Sequence, residues 1–300
     1  MTASSALAEA QGAAPLAVRS SGSLLRGIVP PDALAKRAAE LGYRALGLAD
    51  RDGLYAAVHF ARACADARIQ AVLGAELSAG AVGKAQALAR ADAPAAALVF
   101  ARDRAGYSAL CRLLTARHLE PGLAWADACA REAAAGGIEL IALTADALGT
   151  LAASGVPRER LALGVARPGK DGAPVRDALA CVARVAPGAA VVATGRVTTI
   201  AAADGGGAAR ARVLSALRAN TLVERVTHDP TDPGCAEGML EPSARWQAAW
   251  HAAGPEASAA LVANARLIAG CRAVPELGVP RFPVAPVPAG ETPYSHLYAR

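Results

Sequence analysis

The sequence predicts an α/β barrel, closed or nearly closed. Three observations carry that expectation. Seven short apolar runs mostly alternate with helical stretches, the order that builds a parallel sheet covered by helices. One segment, Gly42 to Leu77 (GYRALGLADRDGLYAAVHFARACADARIQAVLGAEL), reads as strand, acidic turn, helix and strand. A right-handed crossover in such a βαβ unit lays its two strands side by side and parallel. Each of these strands ends in an acid, Asp50 or Glu76. That is the strand edge at which α/β proteins carry out chemistry.

The elements follow in order. Pro15 to Arg19 is a short apolar run, the first strand, and Ser20 to Gly27 (SSGSLLRG) is a loop. Pro30-Pro31-Asp32 starts a helix that Gly42 closes as a C-cap. The βαβ unit gives a strand at Ala45–Leu48, a helix from Leu54 to about Ala67 and a strand at Ile69–Leu73. Ser78 to Pro94 is Gly/Ala-rich and reads as a hairpin or loop, and AAALVF (Ala95–Phe100) is a strand. Arg104 to His118 is an amphipathic helix with Leu110, Leu113 and Leu114 on one face. Pro121-Gly122 breaks it, Trp125–Ala135 is a further helix, and IELIAL (Ile138–Leu143) is a strand. Strands at Arg160–Ala166 and Ala190–Thr194 flank a helix at Pro174–Val185. Gly205-Gly206-Gly207 precedes a helix from about Ala208 to Asn220. Without a Walker lysine or a GxGxxG frame it reads as a loop, not a phosphate cradle.

After Asp229 the texture changes. HDPTDPGCAEGMLEP is turn-rich, and helices follow around Ser243–Ala253 and Pro255–Cys271. Trp246 and Trp250 are four apart and form a packing stripe. Five prolines between 280 and 293 make the last stretch an extended connector. ETPYSHLYAR then looks like the start of a helix, which suggests a truncated or vestigial module.

Composition narrows the class. Hydrophobic residues are 54% of the chain, enough for a large core, but alanine dominates, so a mean hydropathy of +0.28 signals helix and not membrane. No apolar run reaches the roughly 18 residues of a membrane span. No basic residue precedes Arg19, so the N-terminus lacks the charged start of a signal peptide. A cytoplasmic protein is expected. The net charge of +5 is mostly arginine and reads as solvated surface, with contact to a nucleic-acid backbone as the alternative. Aromatics at 4% argue against a stacking platform for single strands. The six cysteines include no CxxC pair, so buried reduced thiols are expected and a zinc site is not.

The order LLRG, ALAKRAAELGYRALGLADRDGL, VLGAEL, ARDRAGYSALCRLLT, RLALGVAR, VVATGRV, PSARW, NARLIAGC and FPVAPVPAGETPYSHL resembles the N-terminal PHP (polymerase and histidinol phosphatase) domain of bacterial DNA polymerase III alpha subunits. LLRG and DRAGYSALCRLLT are closer to the error-prone branch. The resemblance implies a PHP-type distorted (β/α)7 barrel followed by a small helical segment. On that basis residues 1–15 are a disordered tail and 16–235 the barrel. Residues 236–278 are a helical extension, and 279–300 a connector to a polymerase palm that this chain does not contain.

The PHP site is a cluster of divalent metals held by His, Asp and Glu. Carried over position by position, the first His-x-His falls on Ala17 and Arg19, and Thr-Asp-His falls on Ala49, Asp50 and Arg51. Gly-x-Glu is kept with Glu76, a later Glu and His fall on Gly164 and Pro168, and the final Asp-x-His falls on Arg196 and Thr198. Two of nine expected ligands survive, Asp50 and Glu76. Arg19, Arg51 and Arg196 cannot bind a metal, because a guanidinium has no free lone pair and stays charged. The expectation is that these arginines pair with Asp50 and Glu76 in the space of the lost cations. The alternative is that Arg19 and Arg51 point to solvent at loop ends.

The resemblance implies a structural or partner-binding module of an error-prone polymerase in DNA replication and translesion repair. Its partners would be the polymerase catalytic domain or other replication subunits, with DNA contacted only indirectly. No cofactor is expected. The family is a DNA-directed DNA polymerase, a nucleotidyltransferase, and this chain alone is expected to be inactive. Two other readings remain: a stand-alone PHP metal-dependent phosphoesterase or exonuclease, and a stand-alone protein that binds a polymerase.

Overall fold

The computed structural model describes residues 10–80, 94–120, 122–200, 206–226, 238–272 and 286–298. The barrel strands are β1 (Ala17–Val18), β2 (Ala45–Arg51), β3 (Gln70–Ser78), β4 (Ala95–Ala101), β5 (Ile138–Ala142), β6 (Leu161–Val165) and β7 (Ala190–Ala193), with a short β8 (Arg196–Val197) after them. Their order across the main sheet is β2-β3-β4-β5-β6-β7, and β1 pairs with β8. The segment around β1 bridges the two edges. Pro15 accepts a 2.9 Å bond from the Gly47 N–H of β2, and the Leu16 N–H donates to Thr194 O, just beyond β7, at 2.6 Å. A Cβ at Gly47 would lie 2.7 Å from the Leu16 backbone, so only glycine lets the strands close here.

Helices cover this ring. α1 (Pro31–Glu40) starts with proline at its first position and ends before Gly42, whose φ of 82° makes the left-handed stop. α2 (Ala57–Asp66) buries Ala57, Phe60 and Cys64. α3 (Arg104–Leu119) is capped by the Asp103 carboxylate, which accepts the Gly106 N–H at 2.9 Å. It buries the expected Leu110, Leu113 and Leu114. α4 (Trp125–Ala133), α5 (Ala145–Ala153), α6 (Ala173–Val185) and α7 (Gly206–Ala219) follow. Then come α8 (Ser243–Ala252), α9 (Pro255–Gly270) and a short α10 (Pro293–Tyr298) at the expected helix start. Strand side chains alternate between two cores. Leu98, Phe100, Ile141, Ala162 and Val192 belong to one, and Val99, Leu140, Leu163 and Val191 to the other.

Three expectations change. The sheet is not wholly parallel, because β4 runs antiparallel to both β3 and β5. The Ala79 N–H donates to Pro94 O at 2.9 Å, which extends the antiparallel pairing past the end of β3. The tail is packed from residue 10, with Ala10, Ala13 and Ala14 buried, while residues 1–9 lie outside the described residues. Asn264 of α9 causes this. Its Oδ1 accepts the Ala14 N–H at 3.0 Å, and its Nδ2 donates to Ala14 O at 2.9 Å and Ala193 O at 2.6 Å. α9 is thereby tied to β7 and to the chain entering β1. The helix α5 was not anticipated. Thr144 caps it, accepting the Ala147 N–H at 3.1 Å, and Leu148 and Leu151 face the core.

Free cysteines are found at Cys64, Cys111, Cys129, Cys181 and Cys271, all buried but Cys111. Trp246 and Trp250 stack edge-on at 6.1 Å. Gly205, His228, Cys235 and residues 279–285 of the proline-rich connector lie outside the described residues. No helix among the described residues is long and apolar enough to cross a membrane.

Candidate functional site

The site sits where β1, β2 and β3 end. Register decides its layout. Arg51 of β2 lies opposite Glu76 of β3, and Asp50 lies opposite Ala75. Successive strand residues point to opposite faces, so Arg51 and Glu76 share a face and Asp50 takes the other. The chain leaving β1 follows the same alternation, with Arg19 going to Glu76 and Ser20 to Asp50.

Glu76 is gripped from two sides. Arg19 Nη2 lies 3.0 Å from Oε1 and 3.2 Å from Oε2, and Arg51 Nη1 lies 2.8 Å from Oε1. All three side chains are about nine-tenths buried, at 9%, 11% and 6% exposure for Arg19, Arg51 and Glu76. Burial alone would raise the Glu76 pKa. The Arg19 and Arg51 charges outweigh it, with a smaller contribution from Arg196, and hold the carboxyl below its ordinary value. The positive charge is locally in excess. Burial, then repulsion from Arg51, Arg218 and Arg19, pushes the Arg26 guanidinium down to about 10.

Asp50 has other partners. Its Oδ1 accepts the Ser20 N–H at 2.8 Å and the Ser23 hydroxyl at 2.8 Å, and its Oδ2 accepts the Ser20 hydroxyl at 2.7 Å. Each hydroxyl is also an acceptor. Ser20 Oγ takes the Gly22 N–H and Ser23 Oγ takes the Arg51 N–H, both at 3.0 Å. Asp50 is therefore the knot that shapes the SSGSLLRG loop. A Cβ at Gly22 would come within 2.7 Å of Asp50 Oδ2, so the loop closes over the carboxylate only with glycine there. Burial raises the Asp50 pKa, opposed by the serine hydrogen bonds and then by Arg19. Of the three arginines expected at the acids, Arg19 and Arg51 pair with Glu76 and Arg196 acts on it only as a lesser charge, while hydroxyls stand in at Asp50. The parity of the strand is the reason.

The arginine network continues outward. Arg51 Nε is 3.4 Å from Asp52, and the deeply buried Arg117 of α3 bonds Asp52 Oδ1 at 3.2 Å, Ser78 O at 2.9 Å and Gly80 O at 3.2 Å. Asp52 is left-handed (φ 47°) and also accepts the Ser78 N–H at 2.9 Å. Sequence reasoning missed Ser20, Ser23, Asp52 and Arg117. The run of serines before a buried acid was the available signal for the first two.

The remaining positions are spread around the rim. Ala17 pairs with Arg196 between β1 and β8. Thr198 is buried, its N–H donates to Gly238 O at 2.8 Å, and its hydroxyl has no hydrogen-bond partner among the described residues. Gly164 lies in β6, where a Cβ would stand 2.8 Å from Thr194 and 2.9 Å from Ile141. Pro168 is buried in the turn beyond β6. Among the described residues, no three His, Cys, Asp or Glu side chains converge as a metal site would need. Of the histidines, His59 is exposed on α2, and His118 Nε2 meets Asp52 O at 2.9 Å on the surface.

A barrel of this connectivity, with acids and their partners at the strand ends, defines the class. Residues 15–162 match the family described as the PHP domain, and the chain contains a PHP domain. Its relatives are polymerases. The error-prone DNA polymerase of Mycobacterium bovis is 46% identical over 110 residues, 36% of this chain and 10% of the relative. That of Anaeromyxobacter sp. strain K is 36% identical over 174 residues, 50% of this chain and 14% of the relative. The DNA polymerase III subunit alpha of Caulobacter vibrioides is 35% identical over 125 residues, 40% of this chain and 11% of the relative. The matches therefore span about a tenth to a seventh of the relatives' length. A solved protein from Bifidobacterium adolescentis, assigned as a metal-dependent phosphoesterase, overlaps loosely. Its TM-score is 0.37 at 14% identity, over 71% of this chain and 98% of that one.

Proposed function

We propose that this chain is the PHP module of an error-prone, DNA polymerase III alpha-type polymerase whose metal site has been converted into a structural arginine–carboxylate lock. The observation that carries this reading is the state of the two acids. Among the described residues the Glu76 carboxylate is held by the Arg19 and Arg51 guanidiniums, and the Asp50 carboxylate is filled by three donors of the 20–27 loop. A divalent cation needs several free lone pairs from His, Asp or Glu. Arg19 and Arg51 offer none and repel a cation. Gly164 has neither a ligating side chain nor room for one. The residues present do not fit a PHP metal cluster.

The module's role is then to support a polymerase catalytic domain or to bind another replication or translesion subunit, in the cytoplasm and with DNA contacted only indirectly. Alone it transfers no nucleotide. The test is to mix the purified chain with a polymerase catalytic portion lacking its own PHP domain and to follow complex formation by size-exclusion chromatography. A stable complex is expected, with no primer extension by the chain alone. Manganese- or zinc-dependent phosphoester hydrolysis by the chain alone contradicts the reading.

A further inference from the structure

A cavity of about 240 Å³ opens between α8 and the turn beyond β6, sharing Pro168 and Arg196 with the rim positions described above. One wall is aromatic, formed by Tyr43, Trp246 and Trp250. The Tyr43 and Trp246 rings stand 6.4 Å apart at 59°, and Trp250 is fully buried behind them. The other wall is cationic, formed by Arg167, Lys170 and Arg196. The lining thus carries three cations against one acid, Glu241, which lies 3.9 Å from Arg245.

Tyr43 supplies the independent clue. The residue is 3% exposed, and its hydroxyl is buried without a hydrogen-bond partner among the described residues. Buried hydroxyls are normally paired. Burial, then the charge of Glu241, pushes this phenol up, so it stays protonated and able to donate. A donor held among aromatic rings, beside a rim with excess guanidinium and ammonium charge, fits a flat heteroaromatic ring carrying an anionic group. The volume is at the small end for ligand cavities, which run about 300–1,000 Å³. It suits one ring system inside with its anion at the mouth.

The geometry points to a binding site for a mononucleotide-like ligand, with the ring against Tyr43 and Trp246 and the phosphate at Lys170 and Arg196. Trp246 and Trp250 would report occupancy by fluorescence.

The experiment is calorimetric titration of the full chain with adenosine monophosphate, adenosine and inorganic phosphate in parallel. Adenosine monophosphate is expected to bind one to one, with Kd in the range of about 10 μM to 1 mM. Adenosine and phosphate alone are each expected to bind at least about tenfold more weakly, since each makes half of the contacts. Tyr43→Phe keeps the ring and removes only the unpartnered hydroxyl. It should weaken binding several-fold while leaving the melting temperature of the free protein unchanged or higher. Lys170→Ala, on the exposed rim, should weaken the nucleotide and not adenosine. The inference is overturned by any of three results. They are no saturable binding of the nucleotide in that range, equal affinity for the nucleotide and either of its halves, or nucleotide binding untouched by both substitutions.

Discussion

Glu76→Gln isolates the charge that the lock depends on. The amide keeps the shape of the side chain and one acceptor oxygen. It removes the negative charge that Arg19 and Arg51 meet at 2.8–3.2 Å, and turns an N–H donor toward two guanidiniums that are themselves donors. Arg19 is 93% buried by residue exposure of 7%, so water cannot replace the lost partner. Breaking a buried pair from one side costs about 3–5 kcal/mol, against about 0–1 kcal/mol for an exposed pair. For a domain of this size that is on the order of a 10 °C fall in melting temperature. Thermal and urea unfolding at neutral pH measure it, and a double-mutant cycle with Arg51→Met separates the pair from the rest. A loss below about 1 kcal/mol would refute the reasoning, because the acid would then behave as a surface group. The pH dependence has a fixed sign. Glu76 has a depressed folded pKa, so its contribution is complete above its unfolded value of about 4.3 and fades as pH falls through the folded one. The Gln variant should therefore lie well below the parent in stability near neutral pH and converge with it in acid.

Other outcomes follow from the same contacts. Asp50→Ala strands the Ser20 N–H and both serine hydroxyls, and at about 1–3 kcal/mol per buried orphan it should destabilise the fold and loosen the 20–27 loop, seen as faster amide exchange there. The raised Asp50 pKa gives the opposite sign from Glu76: its burial counts against the fold above the folded pKa and is relieved as pH falls through it. Arg117→Met leaves Asp52 and the carbonyls of Ser78 and Gly80 without their shared donor, and a loss of about 2–4 kcal/mol in urea unfolding is expected. Asn264→Leu cuts the three bonds tying α9 to Ala14 and Ala193, and should lower stability by a similar amount while exposing residues 10–16 to limited proteolysis.

Most of the barrel was legible because its signals are local. The seven apolar runs, the proline at the start of α1, Gly42 at its end and the leucine stripe of α3 all fall where the periodicity places them. The helix α5 was overlooked although Thr144, Leu148 and Leu151 announce it, since Gly149 and the alanines dilute its pattern. The antiparallel β4 was not legible, because strand direction depends on which neighbour a run pairs with and not on its residues. The site divides the same way. Which acids survive at the strand ends can be counted from the chain. That Arg51 and not Asp50 faces Glu76 depends on a one-residue register between β2 and β3, which no composition records. The serine knot around Asp50 joins residues 27 and 30 positions apart and became visible only when the loop was seen folded over β2.

Metal content tests the central claim most directly. The full chain would be incubated with zinc, manganese and iron salts, dialysed, and assayed by elemental mass spectrometry beside the Glu76→Gln variant. A lock of guanidiniums on Glu76 predicts substoichiometric metal in both proteins and no change in melting temperature on adding a chelator. One or more ions per chain, retained through dialysis and lost on substituting Glu76, would contradict it.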